Sequence, residues 1–202
     1  MNIAILGLGY VGVVAGGCFS RQGHHITGVD IQDTKVDSFA AGKASFVEPQ
    51  IDDILAAAKA KGLLAATTHG AEAVRNSDVV IVTVGTPTGP GGEPDLRAVR
   101  AVATEIGKGI AARDKVASPC SVVLRSTVPP GTTRNVVIPA IEEASGRACG
   151  DGWTAAFSPE FLREGSAVHD FEHPTLTVIG ERNPGEGDCY ASLLEGVTGE
   201  TC

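Results

Sequence analysis

The sequence predicts an α/β fold: one doubly wound, mostly parallel sheet with helices on both faces. Three observations point there. Short apolar runs rich in β-formers alternate with helix-compatible stretches along all 202 residues. One run, Asp78 to Val84, is almost continuously β-branched, the pattern of a central parallel strand covered on both faces. The first dozen residues read as strand, glycine-rich turn and helix with no gap between them.

Asn2 to Leu6 is a short apolar strand, Gly7-Leu8-Gly9-Tyr10-Val11-Gly12 follows directly, and Val13 to Arg21 is helix-compatible. This G-x-G-x-x-G order is what a dinucleotide requires. Gly7 permits the tight turn, Gly9 lets backbone approach a pyrophosphate, and Gly12 lets the helix lie against the strand. The helix N-terminus then offers unpaired N–H groups to phosphate charge. Glycine-rich turns are common, so context decides. His25 to Val29 reads as a second strand ending on Asp30, a carboxylate about 20 residues past the glycines, where an adenosine ribose would be held. An acid there favours NAD over NADP, because it repels a 2′-phosphate. Together these features make a Rossmann-type pattern.

A chain of 202 residues has room for one good-sized domain. Hydrophobic residues at 43% are ample for a core, and 26 glycines with only 4% aromatics suit tightly packed α/β layers. A net charge of −8 argues against a general nucleic-acid binder. It leaves room for a phosphate ligand held by backbone N–H groups and a few cations. Cys18, Cys120, Cys149, Cys189 and Cys202 form no C-x-x-C pair, and their odd count fits reduced thiols in a cytoplasmic protein. The N-terminus lacks the basic region of a signal peptide. No segment approaches the roughly 20 apolar residues of a membrane span, so no membrane partner is expected.

Along the chain, Gln32 to Ala41 reads as a helix that Asp33 or Thr34 could cap and Gly42 ends. Lys35 falls near the adenosine end of a cofactor, though the spacing equally fits a solvated helix lysine. Ser45 to Pro49 is a loop. Gln50 to Lys61 is helical with an inward face of Ile51, Ile54, Leu55 and Ala58, and Gly62 stops it. Leu63 to Thr67 is a third strand and Ala71 to Asn76 a short helix. The loop Gly85 to Pro94, which includes Thr86, follows a strand's carboxyl end, where open α/β sheets place ligands. Asp95 caps a long helix to about Ala112. Cys120 to Leu124 is another buried strand and runs into the loop Arg125 to Thr132. Thr133 to Ser145 is helical, and Pro139 should kink or split it. Trp153 to Phe157 and Thr175 to Ile179 are the last strands, and Pro184 to Glu195 is the last helix.

Among residues that could carry chemistry, Glu160 and Glu164 share a side if their segment is helical, and paired carboxylates beside a ligand do acid/base work. The same spacing fits an ordinary solvated face. Arg125, Ser126 and Thr127 could offer a cation and hydroxyls to a ligand, or merely cap a strand end. His169-Asp170-Phe171-Glu172-His173 matches the metal-binding pattern H-x-x-E-H. That pattern needs a helix, Pro174 disfavours a helical residue at 173, and no third ligand is evident, so no metal is expected. Cys18 reads as core rather than nucleophile.

Four motifs then stand together in order: Gly7 to Gly12, Val84-Gly85-Thr86-Pro87, Arg125-Ser126-Thr127-Val128-Pro129-Pro130-Gly131-Thr132, and Ser158-Pro159-Glu160-Phe161-Leu162-Arg163-Glu164-Gly165. As a set they resemble the UDP-glucose/GDP-mannose dehydrogenase family over essentially the whole chain. The stretches Val136 to Glu142 and Pro174 to Gly180 look closest to its GDP-mannose branch, with UDP-glucose the alternative. The resemblance implies oxidation of C6 of a nucleotide sugar from alcohol to acid with two NAD. It implies that Gly7, Gly9, Tyr10, Val11, Gly12, Asp30, Lys35, Thr86 and Thr127 contact NAD. Glu160, Phe161, Leu162, Arg163 and Glu164 would face the sugar nucleotide. Thr127, Glu160 and Glu164 would serve the chemistry, with Glu164 beside the cofactor.

The departures carry equal weight. The family's nucleophile is a cysteine in a Gly-Gly-Ser-Cys-like motif, with a lysine and an asparagine on a later helix. None of these motifs is present, and none of the five cysteines inherits the role. The expectation is therefore one NAD-binding domain over residues 1–202, the N-terminal part of a longer enzyme. The resemblance implies that a central helix and a C-terminal domain lie elsewhere, and that the parent enzyme is a homodimer or higher homo-oligomer. Such a chain binds NAD and part of a nucleotide-sugar site but does not complete the four-electron reaction. Two other readings compete: a two-electron dehydrogenase of a hydroxyacid or acyl thioester, and a non-catalytic NAD-binding module.

Overall fold

The computed structural model describes residues 1–89, 91–114 and 118–195. Its strands are β1 (Asn2–Leu6), β2 (His25–Val29), β3 (Leu64–Thr67), β4 (Val79–Val82), β5 (Cys120–Leu124), β6 (Trp153–Phe157) and β7 (Gly180–Glu181). They form one sheet in the order β3-β2-β1-β4-β5-β6-β7. The neighbours from β3 to β6 pair in parallel, and β7 joins β6 antiparallel. The helices are α1 (Tyr10–Arg21), α2 (Asp33–Ala40), α3 (Ile51–Ala60), α4 (Gly70–Arg75), α5 (Arg97–Ala111), α6 (Ile138–Ser145), α7 (Ala167–Glu172) and α8 (Asp188–Leu194).

The pleat of the strands divides the core in two, because successive side chains point to opposite faces. Ile3 and Ile5 of β1, with Val79 and Ile81 of β4, pack under α1, α2, α3, α7 and α8. Ala4 and Leu6, with Val80, Val82, Val122 and Leu124, pack under α4, α5 and α6. Strands apolar at every position are thus what a sheet covered on both faces demands. The face predicted for α3 is the one buried: Ile51, Ile54, Leu55 and Ala58. Each large aliphatic side chain in such a stripe contributes about 1.5–3 kcal/mol by leaving water.

Several expectations meet corrections. The apolar run Thr175 to Ile179 is not the last strand; the ladder to β6 forms one step later, at Gly180–Glu181. Strand propensity takes effect only where a partner edge lies, and that edge meets Gly180 opposite Phe157. The last helix is shorter than predicted, because Glu181 accepts the N–H groups of Gly185 and Gly187 and holds 184–187 as a turn. Neither Asp33 nor Thr34 caps α2 through its side chain. Asp95 does accept the first N–H of α5, from Arg97, at 2.9 Å, while sitting one residue ahead of the cap position.

Pro139 splits its helix as its chemistry requires. Residues Thr133–Val137 form a π-helical turn, and α6 starts at Ile138 with the proline in its first turn. Pro139 has no N–H to donate, and its ring would press on the carbonyl four residues earlier, so the wider turn relieves the clash.

Candidate functional site

The sheet order reverses between β1 and β4, and there the carboxyl ends of β1, β2, β4 and β5 face a common crevice. The glycine turn lines it. Gly7 has φ +109°, a left-handed value that favours glycine, and its N–H donates to the Val29 carbonyl at 2.8 Å. A Cβ at Gly12 would stand 2.0 Å from the Gly7 carbonyl oxygen and 2.7 Å from the Thr83 hydroxyl. Gly12 therefore lets α1 lie on the turn itself, and not only on the strand.

Gly9 is the contrasting case. A Cβ there would meet nothing within 4 Å, so its surface opens on empty space at the N-terminus of α1. No side chain caps that helix. Open space, uncapped N–H groups and the positive end of the helix dipole together fit a pyrophosphate.

Asp30 closes the turn from the β2 side. Its Oδ2 accepts the Leu8 N–H at 2.9 Å and lies 3.5 Å from Lys35 Nζ; its Oδ1 accepts the Gln32 N–H at 3.0 Å. Lys35 thus stands beside Asp30. Val11 is half-buried in the first turn of α1.

The loops after β4 and β5 are tied together. The Thr86 hydroxyl donates to the Thr127 carbonyl at 2.6 Å, and the Ser126 hydroxyl donates to the Val84 carbonyl at 2.7 Å. Thr127 is exposed. Arg125 turns inward: it is 9% exposed, its Nη1 donates to the Tyr190 hydroxyl at 2.8 Å, and its guanidinium lies over the Phe171 ring.

The segment 158–165 is irregular rather than helical, so the helical spacing of Glu160 and Glu164 does not apply. Glu160 accepts the N–H of Leu162 at 2.7 Å. Arg163 is held by Asp170, whose carboxylate accepts its N–H, Nε and Nη2 at 3.1, 3.0 and 2.7 Å. Phe161, Leu162 and Arg163 line a cleft of about 380 Å³ with Arg125, Phe171 and Leu194. Glu164 is exposed, and its charge reaches Tyr10 beside the glycine turn.

Two residues escaped the sequence reading. Thr83 donates to the Gly7 carbonyl at 2.7 Å and forms the floor of the turn. A lone hydroxyl beside the apolar run of β4 was its only signal. Glu48, in the Ser45 to Pro49 loop, is 5% exposed and accepts the Tyr10 hydroxyl and the Gly165 and Ala167 N–H groups.

The thiols tend toward the neutral form. Burial pushes Cys18 and Cys120 up to about 12, and it also raises Cys149 and Cys189; Cys202 lies outside the described residues. The helix α7 ends at Glu172, before His173, yet the His169 and His173 rings still stand 4.9 Å apart. Among the described residues, no group of three or more His, Cys, Asp or Glu side chains could hold a metal. Among the same residues, no helix is long and apolar enough to cross a membrane.

This fold and turn define a dinucleotide-binding domain of the doubly wound class. The chain belongs to the UDP-glucose/GDP-mannose dehydrogenase family, whose NAD binding domain matches residues 1–197. NAD is therefore the cofactor of this domain. GDP-mannose 6-dehydrogenase of Pseudomonas syringae pv. syringae is 45% identical over 195 residues, covering 96% of this chain and 44% of that protein. UDP-glucose 6-dehydrogenase of Haloferax volcanii is 38% identical over the same length, with the same coverage. A ternary complex of GDP-mannose dehydrogenase from Pseudomonas aeruginosa matches with a TM-score of 0.94 at 41% identity, covering 100% of this chain and 45% of that one. The chain spans less than half the length of these relatives.

Proposed function

We propose that this chain is the cofactor half of a cytoplasmic nucleotide-sugar 6-dehydrogenase that converts GDP-mannose to GDP-mannuronate. The observation that carries the reading is the open Gly9 surface beside Asp30, with Tyr10 of the same turn bonded to Arg163 and Gly165 of the segment that carries Glu160 and Glu164. The chemistry that NAD would supply there is a hydride acceptor for C6 of the sugar. The N–H groups at the start of α1 hold the pyrophosphate, and Asp30 accepts a ribose hydroxyl while bracing Leu8. Thr127 would offer its hydroxyl to the reacting end. Glu160 and Glu164 hold or move protons at the sugar, and Phe161, Leu162 and Arg163 shape its pocket. The preference for GDP-mannose is supported by the 45% relative.

UDP-glucose as substrate is the second reading, supported by the 38% relative. The neutral thiols support a division of labour in which the nucleophile comes from outside this chain. The third reading, a non-catalytic NAD-binding module, draws on the same thiols.

Calorimetric titration tests the proposal, with NAD+ first and then GDP-mannose and UDP-glucose. NAD+ should bind, and Asp30→Ala should weaken it about tenfold, the worth of one charge-assisted hydrogen bond. GDP-mannose should bind more tightly than UDP-glucose; the reverse order would favour the second reading. NAD+ binding unaffected by either sugar nucleotide would leave the module reading. Uronate formed by this polypeptide alone would overturn the division of labour.

A further inference from the structure

Glu48 lies in the connection between α2 and α3, and it touches two segments far from it in sequence. Its Oε2 accepts the Tyr10 hydroxyl and the Gly165 N–H, the latter at 2.8 Å; its Oε1 accepts the Ala167 N–H at 2.9 Å. The Gly165 N–H also reaches the Tyr10 oxygen at 3.3 Å. Tyr10 is the first residue of α1, directly after Gly9. Gly165 ends the segment that carries Glu160 and Glu164.

We infer that Glu48 is a positioning residue that couples the two halves of the site, passing the occupancy of the glycine turn to the 160–165 segment. The inference rests on the proposed function, which places cofactor at one end and substrate at the other.

Two of the segment's fasteners differ in reach; the Tyr10 hydroxyl also reaches the Arg163 carbonyl directly, at 3.4 Å. Arg163 and Asp170 join residues seven apart and hold the segment to α7 alone. Glu48 holds the same segment to the start of α1. A ligand that shifts the first turn of α1 shifts the Tyr10 ring. That ring is packed against Phe46 at 4.7 Å, so its displacement is carried to the hydroxyl rather than absorbed by a free rotor.

The charge state makes the joint stiff. Burial pushes Glu48 up, but the Tyr10 hydroxyl and the N–H groups of Gly165, Ala167 and Val168 outweigh it and hold the carboxyl below its ordinary value. Burial, then Glu48 itself, pushes Tyr10 up to about 12, so it remains a donor. Bonds to an ionised, buried acceptor are the strong kind, and losing one donor leaves that charge poorly compensated. The donors on both sides therefore move together.

A brace without coupling would affect stability alone, so the readout must depend on ligand. Hydrogen exchange is followed by mass spectrometry on the 202-residue chain, with and without saturating NAD+. NAD+ should slow exchange of the Gly165 and Ala167 amides about tenfold, and this effect should fall below about twofold in Glu48→Gln and in Tyr10→Phe. Each variant is brought to saturation by its own calorimetric titration. Asp170→Asn, which loosens the other fastener, should keep the NAD+ dependence. Tyr10→Phe removes a single oxygen and carries the test if Glu48→Gln does not fold. NAD+ binding with no change at 160–168, or an effect that persists in both variants, overturns the inference alone. A folded chain that does not bind NAD+ overturns the proposed function and the inference with it.

Discussion

The Thr83 hydroxyl donates to the Gly7 carbonyl at 2.7 Å and so joins the end of β4 to the turn that ends β1. The two strands flank the point where the sheet order reverses, and this bond extends their ladder there. Thr83→Val keeps the side-chain shape and removes the donor. Denaturant unfolding should show a loss of about 1–2 kcal/mol, with weaker NAD+ binding alongside. Unchanged stability and affinity would mean that the bond is dispensable.

Two glycines of the turn should separate folding from binding. Gly12→Ala places a methyl 2.0 Å from a backbone oxygen, so α1 must back away. Thermal unfolding should report a cost of about 1–3 kcal/mol, together with loss of NAD+ binding. Gly9→Ala meets no protein atom within 4 Å and has φ −84°, which alanine tolerates. Its stability should change by no more than about 1 kcal/mol while NAD+ affinity falls, because the space belongs to the ligand. Equal behaviour of the two variants would contradict this assignment.

Acid should release the Arg163–Asp170 fastener. The Arg163 guanidinium, aided by the Ser166 hydroxyl, holds the Asp170 carboxyl well below the usual carboxylate range. A depressed folded-state value means that its stabilising effect is full above the unfolded value of about 3.9 and is lost as pH falls below it. The stability gap between wild type and Asp170→Asn should be flat from neutrality to about pH 5 and shrink below about pH 4. Denaturant titrations across that range measure it, and a gap constant down to the acid end would refute the assignment.

The buried thiols should be inert in the folded chain. Cys18 and Cys120, pushed up to about 12 by burial, should resist iodoacetamide at mildly alkaline pH and react on unfolding. Peptide mapping of the alkylated protein identifies the sites. Rapid native labelling of Cys18 or Cys120 would reopen the search for a nucleophile within this chain.

The sheet and the cofactor turn were legible in sequence for local reasons. Strands β1, β2, β5 and β6 coincide with their predicted bounds, because a short run of β-formers bounded by turn residues is a local signal. The glycine spacing is legible because a left-handed turn and a helix–turn contact exclude a Cβ within a few residues of chain. Pro139 announced the break in its helix for the same kind of reason. Runs near the sheet edge were misread: Thr175 to Ile179 has strand composition, yet within it only Thr177 makes a bridge, and the ladder to β6 forms at Gly180.

What the sequence alone determined is therefore the doubly wound class, the dinucleotide turn with Asp30, and the family. Each rests on covalent geometry, side-chain period or motif order within short stretches. The tertiary structure alone decided that Asp30 braces Leu8, that Thr86 is tied to Thr127, and that Glu160 and Glu164 lie on an irregular segment. It alone brought Glu48 between Tyr10 and Gly165. The physical reason is sequence distance. A carboxylate's spacing records nothing about a partner more than a hundred residues away, and only the packing of α1, α7 and the intervening loop desolvates that charge and supplies its donors.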